Sequence, residues 1–164
     1  MQDIKRVKPS NKPGRGGRTV EEVDLNRYFG RWFEIARLPA ELEKDCRCAT
    51  AEYSPDGNEI VVKNRCIKNG REVVARATAH PVAGSNDSRW SIRYGEHFAG
   101  DYWIIALDEN YEFAMVGEPE RQRLWILSRS PRMDEKTYRS LVETARAKGY
   151  PVDLLQKTDQ SCYQ

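Results

Sequence analysis

Few residues in this chain of 164 have the types and spacing that catalysis or metal binding requires. There are two histidines. His80 stands before Pro81 at the end of an alternating run, and His97 lies in the segment 95–101; neither has a metal-ligand spacing or a nucleophile motif beside it. No glycine-rich phosphate loop opens onto a helix. Four cysteines, Cys46, Cys48, Cys66 and Cys162, allow three pairings. A zinc site prefers two close pairs, whereas only Cys46 and Cys48 are close, and their one-residue spacing is tight for a structural zinc loop. Cys162 lies where a staple from the chain end to the body has an obvious use. Disulfides and an oxidising compartment are the favoured reading. No catalytic residue, metal or cofactor is expected. Asn86-Asp87-Ser88 matches a glycosylation sequon, which has meaning only in a eukaryotic secretory pathway.

The residues that do stand out are structural. Gly30-Arg31-Trp32 opens an amphipathic strand at 31–38, after a short turn-forming segment at 24–29. A small Gly permits close approach of the chain, and a large indole closes one end of a core. Far downstream, the strand 124–129 ends in Arg129, whose flat guanidinium can lie on that indole and lock the chain's two ends together. This combination suggests a barrel sealed at one end and open at the other.

The elements between agree. Strands are expected at 48–53, 59–67, 71–80, 90–94, 102–107, 111–116 and 122–129, with turns at Ser54-Pro55-Asp56-Gly57-Asn58, Lys68-Asn69-Gly70, Asp108-Glu109-Asn110 and Gly117-Glu118-Pro119. Counted with 31–38, this is an all-β, eight-stranded antiparallel up-and-down meander, which removes its exposed edges by closing into a barrel. The period then changes. Asp134 is a good N-cap, and Tyr138, Leu141, Val142 and Ala145 mark one helical face. Lys148-Gly149 then Pro151 stop the helix, which is expected to pack outside the barrel; a short strand at 152–156 follows.

The charge of +2 names no partner, but its distribution is uneven: residues 1–18 carry a net +5, which leaves the rest near −3. With Pro9, Pro13, Gly14, Gly16 and Gly17 in the same stretch, residues 1–19 read as a disordered basic arm on a single domain, 20–164. Such an arm is a solvated tether or a contact for an anionic membrane surface; nucleic acid is not expected as a partner. No apolar run reaches transmembrane length and no signal peptide is present. The expected setting is the cell envelope, periplasm or outer membrane, after removal of a leader, with the protein a monomer or weak homodimer.

A resemblance sharpens this reading. Asn26-Arg27-Tyr28-Phe29-Gly30-Arg31-Trp32-Phe33-Glu34-Ile35-Ala36-Arg37-Leu38-Pro39, Ala51-Glu52-Tyr53-Ser54, the 102–108 run Tyr-Trp-Ile-Ile-Ala-Leu-Asp and the 124–131 run Leu-Trp-Ile-Leu-Ser-Arg-Ser-Pro stand in order. Together they resemble the lipocalin family, in particular the bacterial lipocalins and their animal relative apolipoprotein D, over residues 23–160. The resemblance implies a ligand-binding barrel, and a bridge from Cys48 to the C-terminal tail, here Cys162. A second bridge, Cys46 to Cys66, is inferred by pairing the remaining cysteines.

Alternation places Trp32, Glu34 and Ala36 on one face, and Trp125, Leu127 and Arg129 on one face, with Trp125 projecting inward nearer the mouth. The resemblance puts Tyr53 and Asn64 on the inner walls, with Tyr94 and Tyr102 as companions. These five, Tyr53, Asn64, Tyr94, Tyr102 and Trp125, are the expected ligand-binding residues. Gly30, Trp32 and Arg129 are the structural motif. Asn64, read as a buried amide, needs ligand, water or Glu34 as a partner. Glu34, an inward carboxylate, needs Arg37, Arg129 or Arg93. The loop 38–45 crosses the mouth, with Leu38 and Leu42 as a lid or membrane-facing tip. The expected function is non-catalytic binding, transport or storage of a fatty acid or lysophospholipid. At ~0.8 kcal/mol per buried methylene, a sixteen-carbon tail offsets an association cost of ~4–15 kcal/mol. Two alternatives are an envelope enzyme on a calycin-type barrel, with Glu34 as its acid–base group, and a polyanion-binding module acting through the basic arm.

Overall fold

A computed structural model describes the backbone of Ile4–Lys5 and residues 18–163. In chain order these form β1 (Ile4–Lys5), α1 (Leu25–Tyr28), β2 (Gly30–Arg37), β3 (Arg47–Asp56), β4 (Glu59–Lys68), β5 (Arg71–Pro81), β6 (Arg89–Tyr94), β7 (His97–Asp108), β8 (Phe113–Gly117), β9 (Leu124–Ser128), α2 (Glu135–Ala147) and β10 (Gln156–Lys157). Strands β2 to β9 pair antiparallel with their neighbours in sequence, and β9 returns to pair with β2. The eight-stranded barrel is closed. β1 adds to β7 and β10 adds to β2.

Turn chemistry explains the meander. Asn69 (φ 54°) and Gly70 (φ 76°) both take positive φ, which a two-residue hairpin between β4 and β5 needs. The expected loop at 95–101 is instead mostly strand, because the β6–β7 hairpin turns on Gly95-Glu96 and a bulge after Ile92 absorbs the register change. Tyr111 (φ 57°) belongs to a turn, so β8 begins at Phe113 rather than 111. The segment 24–29 is a one-turn helix, α1, because the Asp24 side chain accepts from the Asn26 N–H. The strand expected at 152–156 is a 3-10 turn, Val152–Leu154, followed by β10.

Two apolar cores result. The inner one fills the lower barrel with Trp32, Tyr53, Ile60, Val62, Trp90, Tyr102, Ile104, Leu107, Val116 and Leu127. The outer one packs Leu141 and Ala145 of α2 against Ala36, Ile105, Ala106, Met115, Leu124 and Ile126. Asp134 caps α2, accepting from the Thr137 N–H at 3.2 Å and the Thr137 hydroxyl at 2.6 Å.

The end carrying α1 is sealed. The Arg129 guanidinium lies 3.8 Å above the Trp32 ring and donates to the carbonyls of Arg27, Tyr28, Arg31 and Tyr111 at 2.7–3.1 Å. Trp32 donates its indole N–H to the Tyr28 carbonyl at 2.9 Å. Gly30, at φ 105°, keeps the chain under that guanidinium: a Cβ there would stand 3.3 Å from Arg129 Nη1.

Of the arm expected over 1–19, residues 1–3 and 6–17 lie outside the described residues. Arg18 is docked on the barrel wall: it donates to the carbonyls of Glu118 and Pro119 and stacks 4.9 Å over Trp103. Thr19 and Val20 are buried.

Candidate functional site

The interior has a floor, walls and a rim, and each is built from alternating positions. On the floor, the hydroxyls of Tyr28, Tyr102 and Tyr53 form a chain at 2.7 Å per step. The Tyr102 ring stacks on Trp90 at 4.4 Å with 7° between planes. Burial raises the pKa of all three tyrosines above the ordinary phenol range, so they stand neutral and hydrogen-bonded to one another. The hydroxyls of Tyr53 and Tyr102 are thus engaged within this chain.

Above the floor the walls are lined by small side chains. Val73, Ala75, Ala77 and Ala79 alternate along the inner face of β5, opposite Cys66, Asn64, Val62 and Ile60 of β4. Along this face Ile60 is 1% exposed and Val62 4%, Asn64 is open to solvent, and Cys66 beyond it is covered again, at 7%, where it is bridged to Cys46. Val73, at an inward position, is 44% exposed, and so is Tyr94, which pairs with His97 beside the β6–β7 turn. Solvent thus enters the upper barrel from the end opposite Arg129. Asn64 is wet rather than a buried amide, so it has no unmet hydrogen-bonding demand of the kind the sequence implied.

A polar cluster stands beside this opening. Simple alternation put Ala36 with Trp32 and Glu34, but a bulge between Glu34 and Ala36 shifts the register against β9. Ala36 turns outward into the core beneath α2, and Arg37 takes the inward position opposite Trp125. Arg37 is 7% exposed; its Nη1 lies 3.9 Å from Glu34 Oε2 and its Nε 3.6 Å from Glu43 Oε2, while its Nη2 donates to the Glu43 carbonyl at 2.8 Å. Of the three arginines proposed for Glu34, Arg37 is the partner. Glu34 also accepts from the Thr158 hydroxyl at 3.1 Å. Trp125 is partly buried and donates its indole N–H to Glu43 Oε1 at 2.8 Å. Burial is the main cause of a raised Glu34 pKa; the charge of Glu43 and a hydrogen bond shared with it raise it further, against the opposing pull of Arg37 and Thr158.

Glu43 is the residue that sequence reasoning missed. It sits in the 3-10 turn Glu41–Glu43, within the loop that crosses the mouth. The leucines singled out there part company. Leu38 is buried in the outer core and its N–H donates to the Leu124 carbonyl, so it is no lid residue; Leu42 is 83% exposed. The loop is held at its far end by the Cys46–Cys66 disulfide, with Cα atoms 5.4 Å apart. The second disulfide, Cys48–Cys162, spans 5.9 Å between Cα atoms and fastens the C-terminal tail to β3. The histidines stay out of the cluster: His80 is half-exposed on the β4–β5 surface beside Glu59, at 2.8 Å, and His97 is exposed at the β6–β7 turn.

Comparison with known proteins matches this architecture. A lipocalin-like domain model covers residues 23–160. Temperature-induced lipocalin-1 of Arabidopsis thaliana is 37% identical over 154 residues, covering 87% of this chain and 82% of that protein. Outer membrane lipoprotein Blc of Vibrio cholerae serotype O1 is 31% identical over 140 residues, covering 83% of this chain and 82% of its own. Among solved structures, insecticyanin from the tobacco hornworm Manduca sexta shares the fold, with a TM-score of 0.71 at 20% identity over 97% of this chain and 89% of that one. Sequence and barrel agree: this chain belongs to the lipocalin family.

Proposed function

We propose that the protein binds and carries one fatty acid or lysophospholipid, without catalysis, by burying the acyl chain in the upper barrel. The observation that carries this reading is the contrast on the inner face of β4 between Ile60 and Val62, which are buried, and Asn64 above them, which solvent reaches. An apolar wall open at one end and floored by aromatics suits a chain with a polar head. Asn64, Tyr94 and Trp125 line the upper walls; Tyr53 and Tyr102 form the floor on which the chain end rests. Each methylene that leaves water contributes about 0.8 kcal/mol, so ten of them give about 8 kcal/mol toward binding.

Two observations support a place in the cell envelope. Both disulfides fit an oxidising compartment. Relatives named outer membrane lipoprotein Blc occur in Vibrio cholerae and Escherichia coli. There the basic residues of 1–18 supply attraction to an anionic membrane surface.

Calorimetric titration with palmitate tests the cup. The expected result is a single site with a negative heat-capacity change, the mark of apolar burial. Ala75→Trp, which fills the lumen opposite Asn64, is expected to weaken binding tenfold or more with the melting temperature kept. Equal binding by the variant and the native protein, or none by either, contradicts the reading.

A further inference from the structure

The cluster at the mouth assigns a chemistry to the ligand's head. Arg37 is a buried guanidinium on the inner face, and beneath the loop its nearest acidic oxygens belong to two glutamates, Glu34 and Glu43. The two are held differently. Glu34 is fixed: it is on β2, 5% exposed, with Thr158 donating to it. Glu43 is on a loop and 27% exposed, and its carboxylate reaches inward to lie 3.6 Å from Arg37 Nε and 2.8 Å from the Trp125 indole nitrogen. The Arg37 Nε is buried and has no hydrogen-bond partner within ideal geometry, so the Glu43 carboxylate fills the anion site at ion-pair range without completing it. A planar guanidinium is best matched by a carboxylate or phosphate that reaches it in plane.

We propose that Arg37 is the head-binding residue of the cup, and that Glu43 is a carboxylate borne by the chain that holds the head's place until an anionic amphiphile displaces it. This rests on the binding reading above and names its ligand class: an acyl chain with a carboxylate or phosphate head. Exchange follows from the geometry. The incoming anion takes over the guanidinium and the Trp125 N–H, and the Glu43 side chain swings to water. The 3-10 turn then loses the anchors its Glu43 side chain makes to Arg37, Trp125 and Glu34, leaving the loop held by the Cys46–Cys66 bridge and by the Arg37 hydrogen bond to the Glu43 carbonyl. Entry of the ligand and loosening of the loop are one event. Glu34, which stays, keeps an oxygen 3.9 Å from Arg37 Nη1 and remains hydrogen-bonded to the Thr158 hydroxyl.

The test compares three probes that share a chain and differ in head: palmitate, 1-palmitoyl lysophosphatidate and hexadecanol. Glu43→Gln keeps an oxygen for the Trp125 N–H and removes the competing charge. It is expected to tighten binding of palmitate, lysophosphatidate or both by about tenfold, with hexadecanol within twofold; the tighter anion identifies the head. Arg37→Gln is expected to weaken the anions tenfold or more and spare hexadecanol. Because removal of Arg37 strands Glu34 and can unfold the protein, hydrogen exchange on the native protein supplies a second readout. Palmitate should speed exchange of the Glu43, Lys44 and Cys46 amides, which donate within the loop, and hexadecanol should not. Anion affinity unchanged by Glu43→Gln, or loop amides equally protected with both probes, overturns the exchange. If hexadecanol and the anions all fail to bind, the cup itself is wrong; if all bind alike, only the role of Arg37 and Glu43 falls.

Discussion

At the residue scale, the one guanidinium of Arg129 satisfies four carbonyls and covers an indole. Arg129→Met keeps the stem and loses the donors. It is expected to cost about 3 kcal/mol, since charged hydrogen bonds contribute ~1.5–3 kcal/mol each and the side chain is only partly buried. At 2–4 °C per kcal/mol for a domain of this size, that is a fall of roughly 6–12 °C by calorimetry. Glu34 gives a prediction of opposite pH sense to an ordinary salt bridge. Its folded pKa is raised above 4.5, chiefly by burial, so the folded protein binds a proton more tightly than the unfolded chain. The resulting stability is complete at pH below 4.5 and is lost as pH rises through the folded value. Glu34→Gln cannot ionise and escapes this loss. Its melting temperature relative to the native protein should climb from pH 4 to pH 8; a difference constant with pH contradicts the assignment. At this scale the sequence was partly legible. The Trp32–Arg129 pair followed from motif and parity, and Arg37 was already a candidate for Glu34. Glu43 was hidden because a glutamate in a loop with Glu41 beside it looks solvated, and the bulge that turns Arg37 inward leaves no mark in the hydrophobic alternation.

Among the elements, the outer layer depends on close approach. Tyr150, just past α2, lies across Gly117 at the end of β8 and donates to the Glu118 carbonyl at 3.1 Å. A Cβ at Gly117 would collide with the Tyr150 hydroxyl and ring. Gly117→Ala should therefore cost about 1–3 kcal/mol, through displacement of Tyr150 and the chain that follows the helix. Hydrogen exchange in 135–155 would rise more than in β3–β5; uniform change across the barrel would contradict this. On the floor, Tyr102→Phe removes the middle hydroxyl and leaves those of Tyr28 and Tyr53 without it, an expected loss of about 2 kcal/mol by denaturant titration. Hairpins and α2 were readable because Asn-Gly turns, alternation and a capped 3.6-residue period are local signals. The β7 extension to His97 was not, since it exists only by pairing with β6. The 3-10 turn at Val152 was not either, because Val152 is held there by burial in the outer core.

For the molecule as a whole, closure is what matters. Pairing of β9 with β2 removes the sheet edges, and the Cys48–Cys162 bridge, across 114 residues of sequence, ties the tail to the same region. Cys162→Ser with Cys48→Ser should lower stability by about 2–4 kcal/mol while leaving the barrel assembled, as a reversible melt would report. A barrel whose lower half is packed with aromatics and whose upper half admits solvent is a cup with a depth set by Trp90, Tyr102 and their neighbours. The Trp32 and Arg129 motif and the strand count made a container legible; which rings fill it and where it opens depend on register and packing across strands far apart in sequence. The most direct measurement is native mass spectrometry of protein equilibrated with palmitate, beside Ala75→Trp treated alike. The account predicts one bound molecule per chain on the native protein and none on the variant. A native spectrum without adduct, or the same adduct on the filled variant, would contradict it.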